Sequence, residues 1–198
     1  MSLSIEEEFF PIFRGMITEP QKTIRKSRSA SLGDAITYFV IVLVIYGVLT
    51  AVFTGILGQV IPFFFPAVED LFSAAFFLVG LVISGVIGLF LLGAILHIFI
   101  KIAGGSGGYT ETMRAFALAG TPLAVIGWIP VLGLLSWLWT LVLVVLGARE
   151  YHKLSVIRAV IAIFLPFILL ALLGIAAALL FMIDPGQVTI SEIVSFTG

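Results

Sequence analysis

The distribution of charged residues constrains this chain more than any other feature of its sequence. Four long stretches contain no Asp, Glu, Lys or Arg: residues 35–68, 71–100, 115–148 and 159–183. A helix needs about 20 residues to cross about 30 Å of hydrocarbon. The strands of a membrane barrel would instead alternate apolar and polar residues, whereas these stretches are apolar throughout. The sequence therefore predicts an all-α polytopic transmembrane helical bundle.

The overall composition agrees with a membrane protein and excludes several other classes. The chain is 61% hydrophobic and 11% charged, against about 25% charged residues in soluble domains. It has no cysteine, which excludes disulfides and thiolate metal sites. Its net charge of −1 gives no reason to expect a nucleic-acid partner. The acidic N-terminus is not expected to be a signal peptide.

Five spans are predicted, over residues 35–57, 72–100, 113–126, 131–147 and 157–183. Pro62 and Pro66 break the chain after the first span, where Phe63 to Phe65 suit a membrane interface. The third and fourth spans are short and are predicted to form a tight hairpin, with its turn at Gly127-Trp128-Ile129-Pro130. Pro122 and Pro166 are expected to kink the spans that contain them.

The positions of the basic residues favour five spans over four. With five spans, residues 1–34, 101–114 and 149–158 share one side and contain five, two and three basic residues, which are all ten in the chain. The charged residues on the other side are then all acidic, namely Glu69, Asp70, Asp184 and Glu192. The positive-inside rule places the basic side in the cytosol. We therefore predict a cytosolic segment 1–34, a membrane domain 35–183 and a non-cytosolic tail 184–198.

The N-terminal segment has two parts with different predicted roles. Residues 4–18 mix apolar and charged side chains as an amphipathic helix does, and can lie on the cytosolic surface. Four basic residues follow: Lys22, Arg25, Lys26 and Arg28. They either contact anionic lipid or simply fix the orientation of the first span.

The sequence contains no constellation that predicts catalysis, a cofactor or a metal. His97 lies near the cytosolic end of the second span and is either a proton relay or a histidine bonded to a neighbour. His152 has Glu150 and Ser155 nearby, but the segment is short and is expected to be exposed. Two histidines far apart in sequence are a weak metal signal. We therefore expect no enzymatic activity.

The glycine-rich stretch Lys101–Arg114, KIAGGSGGYTETMR, superficially suggests a phosphate-binding loop. It follows a membrane helix rather than a strand, and its spacing matches neither phosphate-loop nor dinucleotide-turn patterns. Gly104 and Gly105 are predicted to end the second span, and Thr110 to cap the next helix. A lipid phosphate held by Lys101 and Arg114 remains a second interpretation.

A series of motifs runs along the chain in a fixed order. Its residues are Pro20; Gly104, Gly105, Tyr109, Glu111 and Thr112; Ala115, Ala117, Ala119 and Pro122; Gly127, Pro130, Trp139, Gly147, Glu150 and His152; and Arg158 with Ala159. This series resembles the Yip-domain family of five-span membrane proteins, and the resemblance covers about residues 15–183.

The resemblance implies a role in membrane organisation or partner binding. Eukaryotic members of the family reside in ER and Golgi membranes and are tied to Rab-type GTPases, vesicle traffic and membrane shaping. This chain lacks their long N-terminal region and their Asp-Leu-Tyr-Gly-Pro type motif, so the Rab function is not carried over. It looks like the short prokaryotic, archaeal branch, in the cell membrane.

Two functions follow from the sequence. The first is a non-enzymatic scaffold that organises membrane or binds lipids or a protein through its cytosolic loops, or assembles with copies of itself through the membrane domain. The alternative is a small transporter or channel for a lipid or neutral solute. The candidate partner-binding or lipid-binding residues are Lys101, Glu111, Arg114, Arg149, Glu150, His152 and Arg158.

Overall fold

The structure is a computed structural model, and it describes residues 5–57, 68 and 70–182. The predicted break at Pro62 and Pro66, the aromatic residues Phe63 to Phe65 and the tail 184–198 lie outside the described residues. The chain divides into two compact units, Met1–Ile163 and Phe164–Gly198.

All regular structure in the described residues is helical, which confirms the all-α fold. Seven α-helices occur there: α1 (Ile5–Thr18), α2 (Pro20–Lys26), α3 (Leu32–Leu57), α4 (Leu71–Ile102), α5 (Tyr109–Ala119), α6 (Leu132–His152) and α7 (Val156–Met182). A 3-10 turn, Ser27–Ser29, follows α2, and a π-helical turn, Leu123–Gly127, lies between α5 and α6. The helix α7 continues through Pro166.

Capping interactions fix where the first two long helices begin. At the start of α3, the Ser31 backbone N–H donates to Asp34 Oδ2 at 2.8 Å, and the Asp34 N–H donates to Ser31 Oγ at 3.1 Å. Asp70 and Ser73 form the same reciprocal pair at the start of α4. These bonds satisfy backbone donors that a helix N-terminus otherwise leaves unpaired. Each of these two helices therefore begins directly after a polar capping residue, Ser31 or Asp70, and continues as a largely apolar run.

Four helices of the described residues are long and apolar enough to cross a membrane: α3, α4, α6 and α7. The predicted third span, 113–126, is not one continuous helix. It is divided between α5, which ends at Ala119, and the π-helical turn. Pro122 lies at this division, where its missing N–H and its ring disturb a regular helix. The interruption expected at Pro122 is therefore present, as a break between two helical pieces, and the count of five crossings stays a prediction.

The predicted hairpin itself is present, because α5 and the π-helical turn both pack along α6. Gly147 of α6 lies against Ala115 of α5, where an added Cβ on the glycine would come within 2.6 Å of the alanine Cβ. This close approach lets the two helices pack with buried small residues such as Ala119 and Ala148. The hairpin is thus held by side-chain packing as well as by its short connection.

The amphipathic N-terminal segment is helical, as predicted, but its apolar face is already covered. Phe9 and Met16 of α1 are buried and belong to the same apolar cluster as Ile24 of α2 and Val42 of α3. The Phe9 ring lies 5.2 Å from the Tyr38 ring, centroid to centroid. The helix α1 is therefore docked on the bundle, and Phe10 on its other side is exposed.

Candidate functional site

Three segments that are distant in sequence meet at one end of the first unit. They are the segments that the charge distribution assigns to one side of the membrane. Arg25 of α2 and Glu150 of α6 form an ion pair with Nε and Oε1 3.1 Å apart. Arg28 Nη2 donates to the Glu150 carbonyl oxygen at 2.8 Å. The Ser106 N–H donates to the His152 carbonyl oxygen at 3.0 Å. We call the surface formed by residues 14–30, 101–114 and 149–158 the basic face.

Arg114 lies beneath this surface and ties α5 to the N-terminal segment. It is 5% exposed. Its Nη1 donates to the Arg28 carbonyl oxygen at 2.7 Å, and its Nη2 donates to the Ala30 carbonyl oxygen. Its guanidinium carbon lies 5.5 Å from the centre of the Tyr151 ring, within the range of a cation–π contact. Arg114 was predicted as a partner-binding or lipid-binding residue, but in this structure its guanidinium is held by the chain's own carbonyls.

Two buried tyrosines hold the same end of the bundle and were not predicted. The Tyr151 hydroxyl donates to the Ile24 carbonyl oxygen at 2.7 Å, which joins α6 to α2. The Tyr38 and Thr121 hydroxyls lie 2.7 Å apart and join α3 to the segment after α5. A buried tyrosine usually needs a hydrogen-bond partner for its hydroxyl. Tyr38 lies inside the predicted first span and Tyr151 just after the fourth, and these positions were the available signal.

His97 and His152 share one threonine hydroxyl. His97 Nδ1 lies 2.8 Å from Thr112 Oγ1, and His152 Nε2 lies 3.0 Å from the same oxygen. A hydroxyl has one proton, so at most one imidazole accepts from Thr112. His152 is fully buried, although its segment was expected to be exposed. The two imidazoles and the hydroxyl therefore join α4, α5 and α6.

The glycine-rich loop is a packing element around His152 rather than a phosphate cradle. The Gly104 and Gly105 N–H groups donate to carbonyls at the end of α4, and the Ser106 N–H donates to His152. The Gly108 N–H donates to Glu111 Oε2 at 3.0 Å. These backbone donors are already used within the chain and do not point at a ligand.

Glycine is required at two positions of this loop. Gly104 has a φ of +91°, a conformation that side chains rarely adopt and that ends α4 where predicted. An added Cβ on Gly107 would lie 2.8 Å from His152 Nδ1 and 2.9 Å from the Tyr151 carbonyl oxygen. The cap of α5 is Gly108 with Glu111, so the prediction of Thr110 as the cap was wrong.

The remaining predicted residues differ in what they offer a partner. Lys101, Arg149 and Arg158 are exposed, and Lys101 Nζ reaches the Gly107 carbonyl oxygen at 3.5 Å. Glu111 and Glu150 are half-buried and are used by the Gly108 N–H and by Arg25. The basic face thus displays cationic side chains on a support of internal hydrogen bonds. No group of three or more His, Asp or Glu side chains suited to a metal occurs within residues 5–57 and 70–182.

The sequence motifs of this chain correspond to a known family. The sequence model of the Yip1 domain matches residues 14–178. The chain belongs to the Yip1 domain family. The match begins in α1 and ends in α7, so all three segments of the basic face lie inside the Yip1 domain. No match was found among curated proteins or among solved structures.

The family membership and the apolar helices together show an integral, multi-pass membrane protein. The resemblance inferred from the glycine pair, the alanine-rich helix and the Glu150–His152 exit is confirmed. The structure adds what several of these positions do. Gly105 packs against Ile100, Thr112 and His152 share a hydrogen bond, and Gly147 admits Ala115.

Proposed function

We propose that this chain is a non-enzymatic scaffold of the Yip-domain type, which recruits a protein with an acidic surface to the membrane through its basic face. The observation that supports this proposal most directly is the fixed assembly of that face. Hydrogen bonds from Arg114, Tyr151 and Arg28 hold segments from both halves of the chain together. Their exposed neighbours Arg149 and Arg158 are left to act on another molecule.

The charges of this face are suited to recognition more than to stability. Two ion pairs occur among the described residues, Lys22–Glu19 and Arg25–Glu150, and both include well-exposed side chains. Exposed pairs contribute at most about 1 kcal/mol to stability. A cluster of like charges, in contrast, attracts an oppositely charged surface and accelerates association. Lys101, Arg149 and Arg158 therefore remain the main candidates for partner contacts.

The proposal includes an orientation in the prokaryotic cell membrane, with the basic face in the cytosol and the C-terminus outside. The motivation is the positive-inside distribution of all ten basic residues. Because the chain has no cysteine, single cysteines report this topology cleanly. Lys101→Cys and Lys153→Cys should react with a membrane-impermeant maleimide only after the cytosolic side is opened. Ser191→Cys should react from outside, and labelling of all three from one side would contradict five crossings.

Partner recruitment is tested by placing a photo-crosslinking amino acid at Arg149 and at Arg158 in living cells. Leu91, which is 62% exposed on the membrane helix α4, is the control position. We expect the two basic-face positions to capture the same protein and the Leu91 position to capture lipid. Charge reversal of Lys101 should reduce that capture. A crosslink only to a second copy of this chain, or only to lipid, would contradict a separate protein partner.

The alternative of a small transporter has less support from the described residues. The buried hydroxyls of Thr54, Thr121 and Ser136, unlike that of Thr140, donate to carbonyls in or beside their own helices. Hydroxyls satisfied in this way do not need a solute or water between helices. Uptake of a neutral solute into vesicles that contain the purified chain, absent from empty vesicles, would favour the transporter instead.

A further inference from the structure

A cleft of about 640 Å³ lies along the exposed sides of α1 and α2, on the part of the basic face that comes before the first membrane helix. Its lining includes the apolar side chains Phe10, Pro11 and Ile12 and the basic side chains Arg14, Lys22 and Lys26. The volume is within the range of about 300–1,000 Å³ that small-molecule sites occupy. The partner proposal above makes no use of this cleft.

The two helices that form the cleft are held at a fixed spacing. Gly15 of α1 lies so close to Thr23 of α2 that an added Cβ would collide with the Thr23 hydroxyl. The Glu19 N–H donates to the Gly15 carbonyl oxygen at 2.8 Å, and the Thr23 N–H donates to the Glu19 carbonyl oxygen at 3.0 Å. Met16 and Ile24 are fully buried in the bundle on the other side of the same helices. The cleft is therefore preformed, with its walls anchored to the core.

The described charges of the cleft are predominantly positive. Three basic side chains face one acid, Glu19, whose Oε2 lies 2.7 Å from Lys22 Nζ. The hydrogen bond and charge of Lys22 lower the pKa of Glu19 below its ordinary value, so this carboxyl is ionised and paired at neutral pH. Arg14 and Lys26 are exposed, and neither forms an ion pair with any described side chain.

The apolar part of the cleft distinguishes a lipid from a free anion. Phe10 is 74% exposed, and an exposed aromatic side chain suits a membrane interface. Arg14 follows Phe10 by one helical turn, so both line the same side of α1. A phospholipid has the matching arrangement, with an anionic phosphate next to a glycerol and apolar chains. Inorganic phosphate would use only the basic half.

We propose that the cleft between α1 and α2 binds the headgroup of an anionic phospholipid, with its phosphate between Arg14, Lys22 and Lys26 and its glycerol end against Phe10. Bound in this way, the lipid holds α1 at the membrane surface through its exposed side, while the other side stays docked on the bundle.

The test uses the full chain in phosphatidylcholine nanodiscs that contain phosphatidylglycerol, with bound lipid counted by native mass spectrometry. One basic residue near an anionic surface contributes about a fivefold change in affinity, so the double variant Arg14→Gln/Lys26→Gln should weaken phosphatidylglycerol retention about thirtyfold. The matched control compares two single variants: Lys26→Gln should weaken retention about fivefold, whereas Lys153→Gln, which removes one charge from the same face outside the cleft lining, should change it by less than about 1.5-fold. Equal losses from these two variants would mean diffuse attraction and would overturn the site.

Further variants and competitors separate the lipid from other anions. Arg14→Lys keeps the charge and should keep the lipid, and Phe10→Ser should weaken phosphatidylglycerol retention without changing the charge. Displacement of the lipid by equimolar inorganic phosphate would show a free-anion site and refute the proposal. Displacement by an acidic peptide would assign the cleft to a protein. Because Arg149 and Arg158 are untouched in the cleft variants, partner capture there tests the scaffold function separately.

Discussion

The substitution Arg114→Met tests whether the buried guanidinium holds the N-terminal segment on the bundle. Methionine keeps much of the length and apolar packing of the arginine stem but donates no hydrogen bond. The change removes the bonds to the Arg28 and Ala30 carbonyl oxygens. Each hydrogen bond from a charged donor contributes about 1.5–3 kcal/mol, so we expect the docking of residues 20–30 to lose about 3–5 kcal/mol.

The loss should appear locally, because the bonds join α5 to the segment after α2. The measurement is hydrogen exchange in nanodiscs at the Thr23 and Ala30 amides, which donate to the Glu19 and Ser27 carbonyl oxygens in the docked segment. A loss of about 3 kcal/mol corresponds to a more than hundredfold faster exchange through local opening. Arg114→Lys retains the charge but not the two-pronged donor, so its effect should be about half as large in free energy.

The control is Arg149→Met, which removes a basic residue that is exposed on the same face. Exposed substitutions of this kind usually change stability by less than about 0.5 kcal/mol. The reasoning would be refuted if Arg114→Met left exchange of residues 20–30 the same as in Arg149→Met. Such a result would mean that apolar contacts of Met16 and Ile24 hold the segment without the guanidinium.

Three further substitutions test the loop, the shared hydroxyl and the cap of α4. Gly107→Ala should lower the free energy of unfolding in detergent by about 1–3 kcal/mol, because the new Cβ meets the Tyr151 carbonyl oxygen. The control Gly88→Ala places its Cβ in open space, so it should leave the free energy of unfolding unchanged or raise it. Thr112→Val keeps the side-chain shape but removes the hydrogen-bond contacts to both imidazoles. We expect the free energy of unfolding to fall by about 1–3 kcal/mol in the same assay. An unchanged free energy of unfolding would show that water replaces these contacts. Hydrogen bonds from Ser73 lower the pKa of Asp70, so the cap of α4 should be complete at neutral pH and be lost as the pH falls through that lowered value. Hydrogen exchange in the first turn of α4 should report this loss. In Asp70→Asn, exchange there should not show this pH dependence.

The charge count grouped three segments of the chain, because all ten basic residues occur in them. The contacts of Arg25 with Glu150 and of Ser106 with His152 show that these segments meet. Their side of the membrane stays a prediction. The family resemblance was also readable, since its glycine, proline and histidine positions are tied to close packing and helix ends.

The sequence did not separate the buried basic residue from the exposed ones. A charge count treats Arg114, Arg149 and Arg158 alike. The acceptors of Arg114 are backbone carbonyl oxygens, which every residue has, so the sequence does not reveal them. The interruption of the predicted third span at Pro122 was, in contrast, readable from the sequence. Apolar composition continues through that proline, but proline lacks the N–H that a regular helix requires.

The attachments of the N-terminal segment have a consequence for how such a protein changes over evolutionary time. Arg114, Tyr151 and Arg28 all bond to main-chain oxygens, those of residues 24, 28, 30 and 150. Every amino acid supplies that oxygen, so mutation of the acceptor residues does not delete it. Lineages can therefore rewrite the exposed side chains of residues 20–30 other than Arg28, and with them the molecules they recognise, while the segment keeps its place. Selection on attachment and selection on recognition then act on different residues.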